Sequence, residues 1–536
     1  MTTPTADDAS KADVGADAGA TVTGPRASTD AAVPPPGCPA HDTATFGPGG
    51  LARLHIGEHR TDPMRMYERL RAEHGAVAPV LVDGDVPAWL ILGYNENLDV
   101  VRSPNRFTRD SRTWRIMAEG KLPEDSPLLP MVAWQPVVAF VDGDEHERLR
   151  AAVTDSLGKI DRRGIRRHVT RFADQLIDGF CEDGEAELMT RFAEPLPMLV
   201  LTQLFGMPDE YGPQLVDASL DLIRGTGTAF QSNEYVVAVL TEHVQRLREK
   251  PGIDFASALM AHPANLTDHE VVEHLRVVLT AAHLNTTVLI GNTLRMVVTD
   301  PRFRASLAGA RMTLPDALEQ ILWDQPSTIV CPARWSTGDT ELAGQHIKAG
   351  DMLLLGLAPG NVDPEIRPDL SVPMHGNRSH LAFSGGPHEC PGQDIGRAIT
   401  DTAIDVLLGR LPELNLAVAD EDLTWEASWM SRQLTALPVK FAPRPPVGSD
   451  SAESTGTVKA AVPVSAAAGD REEATAGARR TAAPAATGSA GAPGAAEAAP
   501  ESHTTPAPTP APVNSRQNEG SSFLSRVAGW FGMRRG

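Results

Sequence analysis

The chain has 536 residues, with 69 acidic against 48 basic side chains and a formal charge of −21. That balance argues against general nucleic-acid binding, which depends on Lys and Arg neutralising phosphates. Four cysteines, Cys38, Cys181, Cys331 and Cys390, are too sparse for a disulfide framework and fit a reducing compartment.

Residues 1–45 are rich in Ala, Asp, Thr and Pro, with too little bulky apolar surface to offset chain entropy, and read as an unfolded arm. Asp7, Asp8 and Asp13 stand where a leader would be apolar, so neither a signal peptide nor a membrane anchor is expected there, and the expected location is cytoplasmic. Cys38-Pro39-Ala40-His41 looks like half a metal site without a second pair nearby and is assigned to the arm.

Residues 46–445 form the body. Pro63 to His74 reads as a helix, followed by strand-like Val77–Val82 and Pro87–Tyr94 around an Asp83-Gly84 turn. Helical periodicity then recurs over Glu145–Ser156, Arg162–Phe180, Leu188–Leu204 and Glu234–Arg248. The longest candidate starts at Thr267-Asp268-His269-Glu270, a capping-box pattern, and stops at Asp300-Pro301. At 1.5 Å per residue it would span roughly 48 Å. His274, Arg276, His283, Asn285 and Arg295 interrupt its apolar character, so it reads as a buried central helix rather than a membrane span. The fold class is mainly α with a minor β component.

After the body, 446–520 is dominated by Ala, Pro, Gly, Ser and Thr and reads as a disordered linker. In 521–536, Phe523, Leu524, Val527, Trp530 and Phe531 fall at helical spacing beside Arg526, Arg534 and Arg535. This segment suits docking on an anionic membrane or a partner; Gly529 and Gly532 equally suit a disordered tail.

The stretch Phe383-Ser384-Gly385-Gly386-Pro387-His388-Glu389-Cys390-Pro391-Gly392 carries the most chemistry. The residues after it, Gln393 to Arg410, have apolar side chains at helical spacing, so Cys390 sits just before a helix N-terminus, where free N–H groups stabilise a thiolate. Gly386 and Gly392 permit close approach of a flat macrocycle, and Phe383 can pack beside the sulfur and exclude water.

This order matches F-x-x-G-x-H-x-C-x-G at every defined position, His388 included, and the body resembles the cytochrome P450 superfamily of haem-thiolate monooxygenases. The resemblance implies a single haem domain with haem b ligated by Cys390. In Ala281-Ala282-His283-Leu284-Asn285-Thr286-Thr287 it implies an oxygen-handling site, with Ala282 and Thr286 on one helix face. A Thr286 hydroxyl bonded to the carbonyl four residues back would loosen the helix there. His283 replaces a usual glycine and reads as a substitute proton relay or a pocket wall, while neutral Asn285 replaces a usual carboxylate. An amide holds a water but does not readily exchange a proton with it.

Haem propionates need cationic or hydrogen-bonding partners. The positions resembling the family's are His146 and Arg150, four apart on one helix face, Arg334 before Trp335-Ser336, and His380 upstream of the cysteine loop. The superfamily's Glu-x-x-Arg helix motif appears as Glu319-Gln320-Ile321-Leu322, with Leu322 in place of the arginine, as in a minority bacterial branch. A repair is expected, through Arg367 or Arg378 pairing with Glu319, or through hydration of Glu319.

The implied reaction inserts one oxygen atom into a small organic substrate, with segments near 108–134 and 219–235 lining its pocket. Electrons would come through a ferredoxin and a ferredoxin reductase. The basic run Lys159, Arg162, Arg163, Arg166, Arg167 and Arg171 is either a solvated helix face or a surface that steers an acidic ferredoxin. The rival reading is a haem-binding sensor or scaffold, its chemistry weakened by Asn285 and Leu322; a third keeps the haem for peroxide-driven or non-oxygenating chemistry.

Overall fold

The computed structural model describes residues 47–447, apart from 57, 58, 60, 61, 124 and 125. The N-terminal arm with Cys38, the linker beyond residue 447 and the 521–536 segment lie outside the described residues.

Near the start of the body, helix α1 (Pro63–His74) has Asp62 as its N-cap, accepting from the Arg65 N–H at 3.2 Å. It leads into the antiparallel pair β1 (Val77–Val82) and β2 (Val86–Ile91). The turn takes Gly84 to φ 76°, a conformation open to glycine at little cost. The second strand stops three residues short of Tyr94, which instead opens α2 (Tyr94–Arg102); Gly93 breaks the strand and the Asp363 carboxylate caps the Tyr94 N–H at 2.8 Å. With Ala52–Arg53 and Phe107–Thr108 on its outer edges, this pair belongs to a six-stranded mixed sheet. The sheet's other members are β3 (Val330–Ser336) and β4 (Met352–Gly356).

Helices make up the larger part: α3 (Gly143–Gly158), α4 (Arg162–Asp178), α5 (Pro195–Leu204), α6 (Tyr211–Arg224), α7 (Ala229–Glu249), α8 (Asp268–Thr299), α9 (Leu314–Asp324) and α10 (Gln393–Arg410). The periodic stretch 188–204 is not one helix. A π-helical turn over Met189–Ala193 precedes α5, whose first residue is Pro195; proline lacks the N–H that would continue the preceding turn and suits a helix start.

The capping box of α8 forms as the sequence spells it: Thr267 Oγ1 accepts from the Glu270 N–H at 3.2 Å, and Glu270 Oε2 accepts from the Thr267 N–H at 2.7 Å. By length and composition α8 could cross a bilayer, yet most of its apolar stretch is buried inside the protein. It packs against α5, α7 and α10, and α10 also lies along α4. The floor and roof of the central cavity are therefore α10 and α8, tied into one large apolar core.

Candidate functional site

A cavity of about 340 Å³ opens between α8 and the start of α10. Cys390, Pro391, Gly392, Ile395 and Gly396 form one side; Ala281, Ala282, Asn285 and Thr286 form the other. Arg109, Arg150, Arg334 and His388 also line it. Of the residues expected at a haem site, Cys390, Ala282, Thr286, Asn285, Arg150, Arg334, Phe383, His388 and Gly392 thus converge on one cavity.

The cysteine loop is held from within. Cys390 N–H donates to the Phe383 carbonyl at 3.0 Å. Burial pushes the Cys390 thiol up, while the Gly392 backbone N–H and the charge of Arg150 pull it down. Gly386 corrects the expectation of a close approach to a macrocycle. It sits at φ 67° with its Cα against α2, where a Cβ would lie 2.2 Å from the Val101 carbonyl oxygen. Gly392 and Gly396 face the cavity without such crowding; the nearest atom to a Cβ on Gly396 is Thr286 Oγ1 at 3.9 Å.

The cation-rich rim comes from three elements. A register shift between Cys331 and Arg334 bends β3, and bends of this kind re-aim a side chain. Arg334 is 3% exposed, and its one hydrogen bond among the described residues runs to its neighbour's carbonyl, Ala333, at 3.2 Å. Burial, then the nearby Arg109, drives its guanidinium down to about 9. Arg109, unforeseen from sequence, is tied by backbone carbonyls of Ala139 (2.7 Å), Pro332 (2.8 Å) and Ala333 (2.9 Å). Arg150 donates to the Glu389 carbonyl at 2.6 Å.

His388 Nε2 meets Asp142 Oδ1 at 2.9 Å. Burial lowers His388 to about 3 in spite of that carboxylate, with Arg334, Arg109 and His146 adding to the fall, so the ring is neutral and donates. Asp142, also unforeseen, spends its other oxygen on Thr108 Oγ1 (2.5 Å) and the Arg109 N–H (2.6 Å). His146 stands one ring behind the cavity, 4.1 Å from His388 between centroids, with Nε2 buried and unpartnered.

This rim asks for an anion. A buried guanidinium with a single backbone partner is costly, and the bonds that Asp142 accepts come from His388, Thr108 and the Arg109 N–H, not from Arg334. An apolar chamber with a thiol on one face and unbalanced cations at one edge fits haem b, whose propionates answer the cations and whose plane needs the glycine-bearing floor.

His380 corrects the propionate expectation. Its Nδ1 accepts from the Ala382 N–H at 3.3 Å, which leaves the proton on Nε2, and that donates to Glu319 Oε2 at 2.8 Å. No donor remains for a propionate, and His380 does not line the cavity. It is instead part of the answer to Leu322. Arg397, from α10, gives Nε to Glu319 Oε1 at 2.8 Å and a terminal nitrogen to Oε2 at 3.1 Å. Burial alone would raise the Glu319 carboxyl, but the bonds from His380 and Arg397 outweigh it and hold the carboxyl below its ordinary value. Arg378 joins more loosely at 3.4 Å, while Arg367 pairs with Asp324 at 2.7 Å.

On α8, His283 is neither relay nor cavity wall. Its Nδ1 meets Ser219 Oγ at 2.8 Å and its Nε2 meets the Glu194 carbonyl at 2.7 Å, and burial lowers it to about 4. Asn285 donates to the Ala281 carbonyl at 2.9 Å and accepts from Thr328 Oγ1 at 2.8 Å. The expected helix-loosening bond from Thr286 to Ala282 is absent among the described residues; Thr280, Thr293 and Thr299 make such bonds. The pocket segments also differ from expectation. Among the described residues of 108–134 and 219–235, only Arg109 lines the cavity, whose other walls include Val138, Leu201, Phe205 and Phe255. Val138 is fixed there by its N–H to His274 Nε2, 3.1 Å.

No family model matches the chain. Among curated proteins it is 29% identical over 401 residues to vitamin D(3) 25-hydroxylase of Pseudonocardia autotrophica, covering 73% of this chain and 96% of that protein. It is also 29% identical over 385 residues to nocardicin C N-oxygenase of Nocardia uniformis subsp. tsuyamanensis, covering 70% and 94%. Among solved structures, CYP154C4 from Streptomyces sp. W2061 superposes with a TM-score of 0.65 at 27% identity, over 71% of this chain and 95% of that one. The myxobacterial cytochrome P450 CYP267B1, in complex with myristic acid, gives 0.64 at 26%, over 73% and 99%.

Proposed function

Because the chain belongs to the cytochrome P450 superfamily, we propose that its cavity is a haem-thiolate monooxygenase centre in which Cys390 ligates the iron and Arg150 and Arg334 receive the propionates, while His388, its one N–H spent on Asp142, holds the rim in place. The protein is an oxidoreductase with haem b as cofactor, acting on a small organic substrate. Bound haem b supplies the redox-active iron at which dioxygen is reduced and one of its atoms is made ready for insertion into substrate.

The chain's residues do the rest. Gly392 N–H and Arg150 favour the thiolate form of Cys390 against its burial. Phe383 covers the approach to the sulfur. Thr286, the hydroxyl nearest Gly396 across the cavity, holds a proton on Oγ1 for the oxygen side. Asn285 keeps a fixed amide beside it and contributes order without acidity. Val138, Val278, Leu357 and the cavity's other apolar walls exclude water and suit a lipophilic substrate, in line with relatives named for vitamin D(3) and crystallised with myristic acid.

Electrons arrive on the cysteine side from a ferredoxin served by its reductase. Arg162 and Arg166 on α4 pair with Asp394 (2.7 Å) and Asp401 (3.3 Å) of α10, which leaves Arg163 and Arg167 exposed for an acidic partner. Replacing those two with Gln should slow reduction by a ferredoxin, most at low salt; equal rates would remove this surface from the reading.

The observation that carries the proposal is the convergence of Cys390 with a rim whose guanidinium groups, on Arg109, Arg150 and Arg334, outnumber the nearby Asp142 carboxylate. Its test is the absorption of the reduced protein under carbon monoxide. Wild type should give the thiolate-type band and Cys390→Ser should lose it, while NADPH-driven turnover with surrogate redox partners yields an oxygenated product from a lipophilic panel. A missing band, or one indifferent to the substitution, would overturn the assignment. A normal band without any turnover across the panel would favour the sensor or scaffold instead.

A further inference from the structure

The superfamily's usual arginine is absent at Leu322, and the cluster around Glu319 has been rebuilt from elsewhere. What rebuilds it also touches the cysteine loop. Arg397 uses every nitrogen of its guanidinium: Nε and one terminal nitrogen go to the two oxygens of Glu319, and the other terminal nitrogen goes to Gln393 Oε1 at 3.0 Å. Gln393 in turn donates to Glu389 Oε1 at 2.8 Å. The central carbon of the same guanidinium lies over the Phe383 ring, 4.5 Å from its centroid, within the range of a cation–π contact. Phe383 is the residue whose carbonyl accepts the Cys390 N–H.

One side chain therefore grips α9 through Glu319 and both ends of the cysteine loop, at Phe383 and, through Gln393, at Glu389. We propose that Arg397 is a positioning residue for the Cys390 thiolate, taking over at Glu319 the anchoring that Leu322 cannot supply and extending it through its contact over the Phe383 ring. The inference rests on the haem-thiolate reading above. Its physical content is planarity: a fork that binds two oxygens edge-on while presenting a face to a ring is available to Arg and not to Lys. A charge at Glu319 alone would stabilise the fold without setting where the sulfur sits.

Two conservative variants separate those roles in the haem-loaded protein. Arg397→Lys keeps a cation near Glu319 but loses the fork and the contact over the ring; Phe383→Leu keeps the Glu319 pairing and loses the ring. Both should retain haem at wild-type stoichiometry, yet under carbon monoxide the thiolate-type band should decay severalfold faster to the thiol-type band. The reduction potential should shift in the same sense in both. Because both act through one contact, the double variant should be no worse than the poorer single one. If Arg397→Lys proves too unstable to purify, Phe383→Leu still tests the contact from the ring's side, where an unchanged lifetime counts against it, and Gln393→Ala tests the link from Arg397 to Glu389. A Phe383→Leu protein with wild-type band lifetime and potential would overturn the proposal, as would effects that simply add in the double variant. A wild type without any thiolate-type band would instead sink the haem-thiolate reading itself.

Discussion

Two buried groups of charge flank the cysteine loop, and they differ in how their charges are balanced. Around Glu319, itself 2% exposed, the carboxylate takes two bonds from Arg397 and one from His380, so the group closes on itself. Around Arg334, the guanidinium groups of Arg109, Arg150 and Arg334 line the cavity, and the Asp142 carboxylate beside them already serves His388, Thr108 and the Arg109 N–H. A closed group belongs to the fold. An open one, built from the same residue types at similar depth, is a socket for an anionic ligand.

The comparison breaks most directly at Glu319. Glu319→Gln leaves the Arg397 guanidinium without its counter-charge, and removing one partner of a buried pair costs about 3–5 kcal/mol. A urea unfolding curve should show that fall with its slope unchanged. A loss under ~1 kcal/mol would mean the cluster behaves like a surface pair.

Arg334→Leu should act with opposite signs in the two states. Without haem the substitution removes a charge whose guanidinium is already lowered to about 9; at about 1.4 kcal/mol per pKa unit that relief amounts to a few kcal/mol. With haem it removes a propionate partner, so transfer of haem to an apo-globin acceptor should speed up by roughly tenfold or more, the equivalent of one charge-assisted hydrogen bond. Equal stability changes in apo and loaded protein would mean the rim is not a socket.

Much of this was legible in the sequence where the signal is local. Thr267 and Glu270 announce the start of α8, Pro63–His74 and Gln393–Arg410 follow from periodicity, and Cys390 announces itself through its loop. The closing of Glu319 was not, because Arg397 lies 78 residues away and nothing in its neighbourhood distinguishes it from a solvated helix residue. Arg109 and Asp142 were hidden for the same reason: they meet across 33 residues of irregular chain with no period to reveal it. His283 was noticed as an oddity, but its partners are Ser219 on α6 and Glu194 in the turn before α5. Pattern reports which face a residue occupies and is silent on which distant residue it will meet.

The rim also carries a pH signature. In the fold His388 is lowered to about 3 from its ordinary 6.5, so between those values the unfolded chain binds a proton that the folded chain refuses. Stability from this group is therefore complete above pH 6.5 and declines as pH falls toward 3, at about 1.4 kcal/mol per unit. Asp142, lowered to about 2 from 3.8 by His388 and Thr108 against its burial, adds a loss that begins only below 3.8. His388→Asn should flatten the unfolding midpoint of haem-free protein between pH 6 and 4, and an unchanged slope would show that the ring is already charged.

The smallest effect belongs to the outer edge of the closed group. Arg378 approaches Glu319 Oε1 at 3.4 Å, yet its side chain is 63% exposed, and water screens such a contact to under about 1 kcal/mol. Arg378→Ala should leave both the urea midpoint and the carbon monoxide spectrum within error of wild type. A substantial loss would mean that Arg397 and His380 do not by themselves satisfy Glu319, and that the cluster closes only with help from the surface. The contrast with the open rim would then narrow to a difference of degree.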